Sequence, residues 1–124
     1  MVCMIKTEII SANVLRITLP DKLSADDFGQ IAPQIDSLIS QHGHIRLLID
    51  ASGFHGWENI GAFETHAGFV KDHQQKIERI AVIAAHDWQH YLIGAFRIFV
   101  HPEARAYDKS HEREALRWIV APQG

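Results

Sequence analysis

The chain has 124 residues, of which 47% are hydrophobic and 22% are charged, and its formal net charge is −3. This length suits one domain over residues 1–124, and the apolar fraction can fill an ordinary core, which excludes disorder as the general state. Because the 12 Lys and Arg residues are fewer than the 15 Asp and Glu residues, the composition argues against a nucleic-acid partner. The single cysteine, Cys3, can form neither an internal disulfide nor a cysteine-based zinc site.

Two features of the sequence predict a cytoplasmic location and no transmembrane segment. Lys6 and Glu8 interrupt the first ten residues, so these residues do not form the apolar region of a secretory signal. The longest apolar run, residues 91–100, contains Arg97 and is shorter than the roughly 20 residues that span a bilayer.

The first predicted elements are two strands, Met4 to Ile10 and Val14 to Leu19, and the second alternates between apolar and polar positions. The three residues between them are few enough for a hairpin, so the pair is predicted to be antiparallel. A helix follows, with Ser24 as its predicted N-cap and Gly43 as its C-terminal stop. Its apolar residues recur at helical spacing: Phe28, Ile31, Ile35, Leu38 and Ile39.

Two nearly continuous apolar runs, Ile45 to Ile49 and Ile80 to Ala84, predict strands that are buried on both faces of a parallel sheet. Between them, residues 51–57 form a loop, and a second helix begins near Glu58 or Asn59.

Three more elements are predicted after the second buried strand. Asp87 is the predicted cap of a third helix, Ala104 to Tyr107 form a short edge strand, and Ser110 caps a fourth helix that turns Ala115, Leu116 and Ile119 inward. The predicted fold class is therefore α/β: a single domain with a mostly parallel mixed sheet, an N-terminal antiparallel hairpin and four helices.

Ligands of open α/β sheets bind beyond the carboxyl ends of the strands. The polar and aromatic residues predicted at that edge are Asp50, Ser52, Phe54, His55, Trp57, His86, Asp87, Trp88, Asp108 and Ser110. A small hydrolase or metal-dependent enzyme that uses His55, His86, Asp50 or Asp108 is the less favoured hypothesis. Ser52 lacks the G-x-S-x-G turn of a nucleophile, and no third ligand accompanies the His86 and His90 pair. No catalytic residue, metal or cofactor is predicted, and no phosphate-binding glycine motif is present.

Apolar residues exceed what one packed face per helix requires in the second and third predicted helices and in the loop before the second. Three interpretations stay open: additional core, a homodimer surface, or the wall of an apolar pocket between these two helices. The residues predicted to line that surface are Phe54, Trp57, Phe63, Phe69, Trp88, Tyr91, Leu92 and Phe96.

Several motifs in this order resemble the SpoIIAA-like family of bacterial STAS-related proteins. They are I-R-L-L-I-D at 45–50, G-W at 56–57, E-R-I-A-V-I at 78–83, W-Q at 88–89 and E-A-L-R-W-I at 114–119. The resemblance covers nearly the whole chain and implies a single α/β domain without a known enzyme activity.

The resemblance also implies one departure. Anti-sigma-factor antagonists, which are STAS proteins, carry a phosphorylatable Ser in a D-S-S-G-type motif at the start of the helix after the third strand. Placing that position at residues 57–60, which contain neither Ser nor Thr, predicts that the chain lacks this serine, since Ser52 lies too early, in the loop. The leading hypothesis is then a non-enzymatic binding module for an apolar small molecule or lipid. A homodimer through the same aromatic surface is the alternative.

Overall fold

The structure, a computed structural model, describes residues 5–22, 25–54, 68, 72, 76–84 and 103–121. Its elements are β1 (Lys6–Ser11), β2 (Val14–Thr18), α1 (Ala25–His42), β3 (Ile45–Asp50), β4 (Ile77–Ala84), β5 (Glu103–Asp108), a 3₁₀ turn (Lys109–His111) and α2 (Glu112–Val120). The strands form one sheet in the order β1-β2-β3-β4-β5. β1 and β2 are antiparallel and the other neighbouring pairs are parallel, which confirms the predicted mixed sheet with its N-terminal hairpin.

The hairpin is tied to the rest of the sheet by Asn13, which lies in its turn. The Asn13 side-chain amide donates to the carbonyl of His44 at 3.0 Å, and the backbone amide of Arg46 donates to the carbonyl of Asn13 at 2.9 Å. The two bonds hold the turn beside the start of β3, and they help to set the parallel register in which Val14 lies opposite Arg46.

α1 confirms the predicted amphipathic helix and its stop. Gly43 has a φ of +82°, which is the left-handed region that favours glycine, and its amide donates to the carbonyl of Ile39 at 2.7 Å. The chain therefore leaves α1 in a sharp turn and enters β3 two residues later.

Each face of the sheet carries its own core. The α1 side is built mainly from these buried residues: Leu15, Ile17, Ile31, Ile35, Leu38, Ile45, Leu47, Phe54, Ile77, Ile80 and Val82. The α2 side is built from Val14, Leu48, Ala81, Ile83, Ala115 and Ile119. Both predicted central strands are thus covered on their two faces, as their continuous apolar runs indicate.

Two arginines of the sheet bind the last carbonyls of α2. Arg46 Nη1 donates to the carbonyls of Ile119 at 3.0 Å and Ala121 at 2.5 Å. Arg79 Nη1 donates to the carbonyls of Trp118 at 2.8 Å and Ala121 at 3.0 Å. Positive charge at a helix C-terminus stabilises the helix, because the unpaired carbonyls there carry partial negative charge.

The ring of Trp118 also contacts cationic groups of the sheet. The guanidinium carbons of Arg79 and Arg105 lie 5.3 and 4.6 Å from its centroid, and the ring of Tyr107 lies 6.4 Å away. These distances suit cation–π and aromatic contacts, which add to the apolar packing of α2 on the sheet.

The predicted capping role of Ser110 is wrong. A 3₁₀ turn that contains Ser110 precedes α2, and the N-cap position is His111, whose side chain forms no capping hydrogen bond. The predicted edge strand is confirmed as β5. The predicted third helix and most of the second lie outside the described residues, although Gly68 and Asp72 are described and are helical.

Candidate functional site

The carboxyl edge of the parallel strands brings together residues that are distant in the sequence. Asp50 ends β3 and lies opposite Ile83 of β4, while Ala84 of β4 lies opposite Asp108 of β5. Asp50 and Asp108 are therefore on one edge, with β4 between them, as the sequence predicts. Since this edge is where α/β sheets present ligand-binding groups, it is the candidate site of this fold.

The Asp50 carboxylate is the centre of this edge, and its side chain is only 8% exposed. Its Oδ1 accepts hydrogen bonds from the Ser52 hydroxyl at 2.6 Å and the Ser52 backbone amide at 3.1 Å. Its Oδ2 accepts from Arg16 Nη2 at 3.1 Å and from Lys109 Nζ at 3.2 Å. Both oxygens are thus occupied by donors from three elements of the fold.

Glu112, in the first turn of α2, completes the network. Its Oε1 accepts from Arg16 Nη2 at 2.7 Å and lies 3.5 Å from Lys109 Nζ. Two cations and two anions make this edge network, which consists of Arg16, Asp50, Lys109 and Glu112, formally neutral. The exposed fraction of the side chain rises across the network, from 8% at Asp50 to 51% at Lys109.

The network shifts the pKa values of its carboxylates downward. Burial by itself raises the pKa of Asp50, but the hydrogen bonds from Ser52 and Lys109 outweigh burial, and the pKa is lower than its ordinary value. The hydrogen bond from Arg16 is the main reason for the lowered pKa of Glu112, and Lys109 contributes to it. For Lys109, burial acts against the charged form, while the contact with Asp50 raises its pKa above the ordinary value.

These properties suit a structural role for Asp50 better than a catalytic one. A general base works best when its pKa lies near the working pH, whereas Asp50 has a lowered pKa and donors on both oxygens. The Ser52 hydroxyl donates to a weak base, so the pair resembles a turn stabilised by an Asp side chain more than an activated nucleophile.

The sequence analysis identified Asp50 and Ser52 but missed Arg16, Lys109 and Glu112. Arg16 occupies the same face of β2 as the buried Val14, and a charged residue at an inward-facing strand position is a signal of an ion pair. Lys109 and Glu112 have the three-residue spacing of helical ion pairs, but that spacing does not reveal that Lys109 also contacts Asp50 or that Glu112 also contacts Arg16.

Of the residues predicted to line an apolar surface, Phe54 is described. It is 4% exposed and packs in the core on the α1 side, and its backbone amide donates to the carbonyl of Ala51 at 3.1 Å. The other residues of that prediction lie outside the described residues: Trp57, Phe63, Phe69, Trp88, Tyr91, Leu92 and Phe96. The same holds for His55, His86, Asp87 and His90, so the histidine part of the enzyme hypothesis stays a prediction.

The loop after β3 has the sequence Asp50-Ala51-Ser52-Gly53, which matches the D-S-S-G motif at three of its four positions. The serine that the motif places third is Ser52, and it lies in the turn directly after the strand. The sequence places the phosphorylatable position at residues 57–60 instead; these lie outside the described residues, so that placement stays a prediction.

The described part of the chain contains no group of three or more His, Cys, Asp or Glu side chains that could hold a metal ion, and none of its helices is long and apolar enough to cross a membrane.

Comparison with known proteins identifies the class. The chain belongs to the SpoIIAA-like family, whose model matches residues 14–120. A crystal structure of an uncharacterised DUF3478-family protein from Shewanella loihica PV-4, with a SpoIIAA-like fold, is similar to it with a TM-score of 0.76 at 24% identity, over 93% of this chain and 91% of that chain. No curated protein sequence matches the chain.

Two structures of SpoIIAA itself share the fold. The anti-sigma factor antagonist SpoIIAA in its unphosphorylated form aligns with a TM-score of 0.60 at 12% identity, over 91% of this chain and 97% of that chain. The Bacillus cell fate determinant SpoIIAA in its phosphorylated form aligns with a TM-score of 0.53 at 13% identity, over 91% and 99%. At these identities, the likeness establishes the fold alone.

Proposed function

We propose that this SpoIIAA-like domain is a non-enzymatic binding or regulatory module that takes up an apolar small molecule or lipid. The observation that carries the proposal is the surplus of aromatic and aliphatic residues in two segments, 54–69 and 88–100. One packed face per helix does not need so many apolar side chains, and pockets for small ligands are lined mainly by such residues.

The order of the strands supports a shared location for the two segments. The first segment begins after β3 and the second after β4, and these strands are neighbours whose ends lie in register at Asp50 and Ile83. The connections from β2 to β3, from β3 to β4 and from β4 to β5 all step in the same direction across the sheet. Because such connections share one hand, the proposal places all three on the face that α1 covers.

The α1 side of the sheet is suited to be the floor of an apolar pocket. Leu47, Ile80, Val82 and Phe54 lie on this side and belong to one apolar cluster. Phe54 ends the described part of the loop after β3, so the first of the predicted lining residues already packs against this cluster.

The edge network favours binding over catalysis in this proposal. Asp50 is saturated with hydrogen bonds and has a lowered pKa, which makes it a poor proton acceptor. The network instead holds the loop after β3 and the start of α2 in fixed positions.

The test is a titration of the full chain with a long-chain fatty acid, followed by tryptophan fluorescence and thermal unfolding. A ligand that binds only the folded state must stabilise it, by about 3 kcal/mol at a hundredfold excess over its Kd. Phe69→Ala and Phe96→Ala are expected to weaken this stabilisation. Leu116→Ala, on α2 at the opposite face, is the control and should retain it. Unchanged fluorescence and thermal stability in the unsubstituted protein would contradict the proposal.

A homodimer through the same aromatic residues is the alternative, and light scattering distinguishes it. If Phe69→Ala and Phe96→Ala convert a dimer into a monomer without affecting fatty-acid binding, the aromatic surface is an interface and not a pocket.

Control by phosphorylation is a second candidate function, favoured by Ser52 in its D-A-S-G turn. A phosphate on Ser52 would remove the 2.6 Å hydrogen bond to Asp50 and place like charges side by side, which would disturb the edge network. Mass spectrometry of the chain purified from the cells that produce it is the test. Phosphate on Ser52 would support this candidate, and its absence under all growth conditions would remove it.

A further inference from the structure

β1 is an open edge of the sheet, with an unusual exposed residue. It pairs with β2 on one side, and no strand of the described residues pairs with its other side. Ile9, in the middle of β1, is 60% exposed, the highest value among the large hydrophobic residues that the structure describes. An edge strand offers unpaired backbone groups to another strand, and proteins commonly guard such edges with charged residues, bulges, proline or a covering element. In β1 the charged Lys6 is followed two residues later by the oppositely charged Glu8, and the irregularity lies toward the end of the strand, between Ile9 and Ser11.

The residues around Thr7 form a self-complementary pattern. Reading outward from Thr7, Lys6 and Glu8 are opposite in charge, and Ile5 and Ile9 are both apolar. Lys6 and Glu8 are exposed, and neither forms a salt bridge with a described residue. Thr7 itself is held by a 2.8 Å hydrogen bond from its hydroxyl to Gln34 of α1.

We propose that the outer edge of β1 pairs with the same edge of a second copy of this chain, antiparallel and about a two-fold axis at Thr7. In that register, Lys6 lies opposite Glu8 of the second copy, and the pair occurs twice. Ile9 lies beside Ile5 of the second copy, which is already buried in the core on the α1 side at 7% exposed, so the apolar gain is the removal of Ile9 from water. Directly opposed pairs of opposite charge and of β-branched residues are those that stabilise antiparallel strands.

Charge also selects this register over its neighbours. In an antiparallel pair, directly opposed residues point to the same face of the sheet. A two-fold axis perpendicular to the sheet must therefore pass through a residue and not between two residues, so the alternative registers have the axis at a neighbouring residue. With the axis at Lys6, two lysines oppose each other, and with the axis at Glu8, two glutamates do, both of which are destabilising. A register centred farther along, on Ile9, runs into the irregularity between Ile9 and Ser11.

Sedimentation of the full chain over a wide range of concentration tests the proposal, with a charge exchange. Lys6→Glu and Glu8→Lys are each expected to weaken dimerisation at least about tenfold, because each puts two like-charge pairs into the interface. The double variant Lys6→Glu with Glu8→Lys is expected to restore it. Lys22→Glu, the same charge change at an exposed residue after β2, is the control and should leave the dimer intact.

A cross-link tests the register itself. In a Cys3→Ser background, Thr7→Cys places two sulfurs at the axis, at the separation of directly opposed strand residues, which a disulfide can bridge. Glu8→Cys is the matched control, because Cys at this position would lie two residues away from its counterpart along the strands. We expect a disulfide-linked dimer from Thr7→Cys and little from Glu8→Cys.

Three results would overturn the proposal: a monomer at all concentrations, a dimer whose affinity the single charge variants do not change, or a double variant in which dimerisation is not restored. Circular dichroism of each variant confirms that the fold is retained. The proposed apolar site rests on segments 54–69 and 88–100 and not on β1, so failure here leaves the proposed function untouched.

Discussion

Arg16 Nη2 lies 2.7 Å from Glu112 Oε1, although the two residues are 96 positions apart in the chain. This contact joins β2 to the first turn of α2 at the carboxyl edge of the sheet. At the other end of α2, Arg46 and Arg79 bind its last carbonyls. Both ends of α2 therefore make charged contacts that stabilise a helix dipole. A carboxylate lies at the positive N-terminus, and guanidinium groups lie at the negative C-terminus.

Asp50→Asn is expected to lower the free energy of unfolding at neutral pH by about 2 kcal/mol, since a charged acceptor with four donors is replaced by an amide. The acid dependence should change as well. Asp50 and Glu112 have lower pKa values folded than unfolded, so the stability they contribute is complete above the ordinary carboxyl pKa and is lost as the pH falls through the folded values.

Urea unfolding between about pH 5 and pH 2 measures this effect. The slope of the unfolding free energy against pH should be smaller in Asp50→Asn than in the unsubstituted protein. Equal slopes in the two proteins would show that the edge network does not stabilise the fold.

Arg46→Ala is expected to destabilise the protein by about 3 kcal/mol, because it leaves buried carbonyls of α2 with fewer donors and removes a largely buried guanidinium. Hydrogen exchange should show that the amides of α2 lose protection before those of β3. Arg113→Ala, at an exposed residue of the same helix, should change the stability by less than about 0.5 kcal/mol. Similar losses in the two variants would argue against the capping role of Arg46.

Ile119→Ala is expected to cost about 3 kcal/mol, since Ile119 is fully buried between α2 and the sheet and its removal leaves a cavity. Val120→Ala, the adjacent change at a residue that is 45% exposed, should have a small effect. Chemical denaturation of the two variants measures the difference. A larger loss in Val120→Ala would mean that the inward face of α2 is assigned incorrectly.

Two glycine substitutions should act in opposite directions. Gly43→Ala is expected to destabilise by about 1 kcal/mol, because Gly43 has a φ of +82° that a residue with a Cβ adopts at a cost. Gly29→Ala, inside α1, is expected to stabilise by about 0.8 kcal/mol through helix propensity. An added Cβ meets no atom within 4 Å at either position, so thermal unfolding of the pair isolates the backbone effect. Effects of the same sign would contradict this explanation.

Local pattern was sufficient for most of the described fold. The continuous apolar runs at 45–49 and 80–84 predicted the central strands, because burial on two faces requires consecutive apolar residues. Gly43 predicted the end of α1, because a left-handed backbone favours glycine. Ser110 shows the limit of such patterns. Its residue type suits a cap, but the 3₁₀ turn before α2 moves the helix start beyond it.

The candidate site was predictable only in part, for a related reason. Asp50 and Ser52 are adjacent in the sequence and end a recognisable strand, so their place at the carboxyl edge followed from the order of elements. Arg16 and Lys109 reach the Asp50 carboxylate from distant parts of the chain, and Glu112 joins the network through Arg16. The hydrophobic periodicity of a sequence does not indicate contacts between residues that are so far apart.

The sequence alone determined the class of this protein: an α/β fold of the SpoIIAA-like kind. Only the tertiary structure decided what its charged residues do. Arg16, Arg46 and Arg79 are charged residues within strands. Whether each one forms an ion pair or caps a helix depends on which end of α2 packs beside it. Burial patterns are local properties of a chain, whereas ion pairs and helix caps made across the fold exist only once the elements are placed in space.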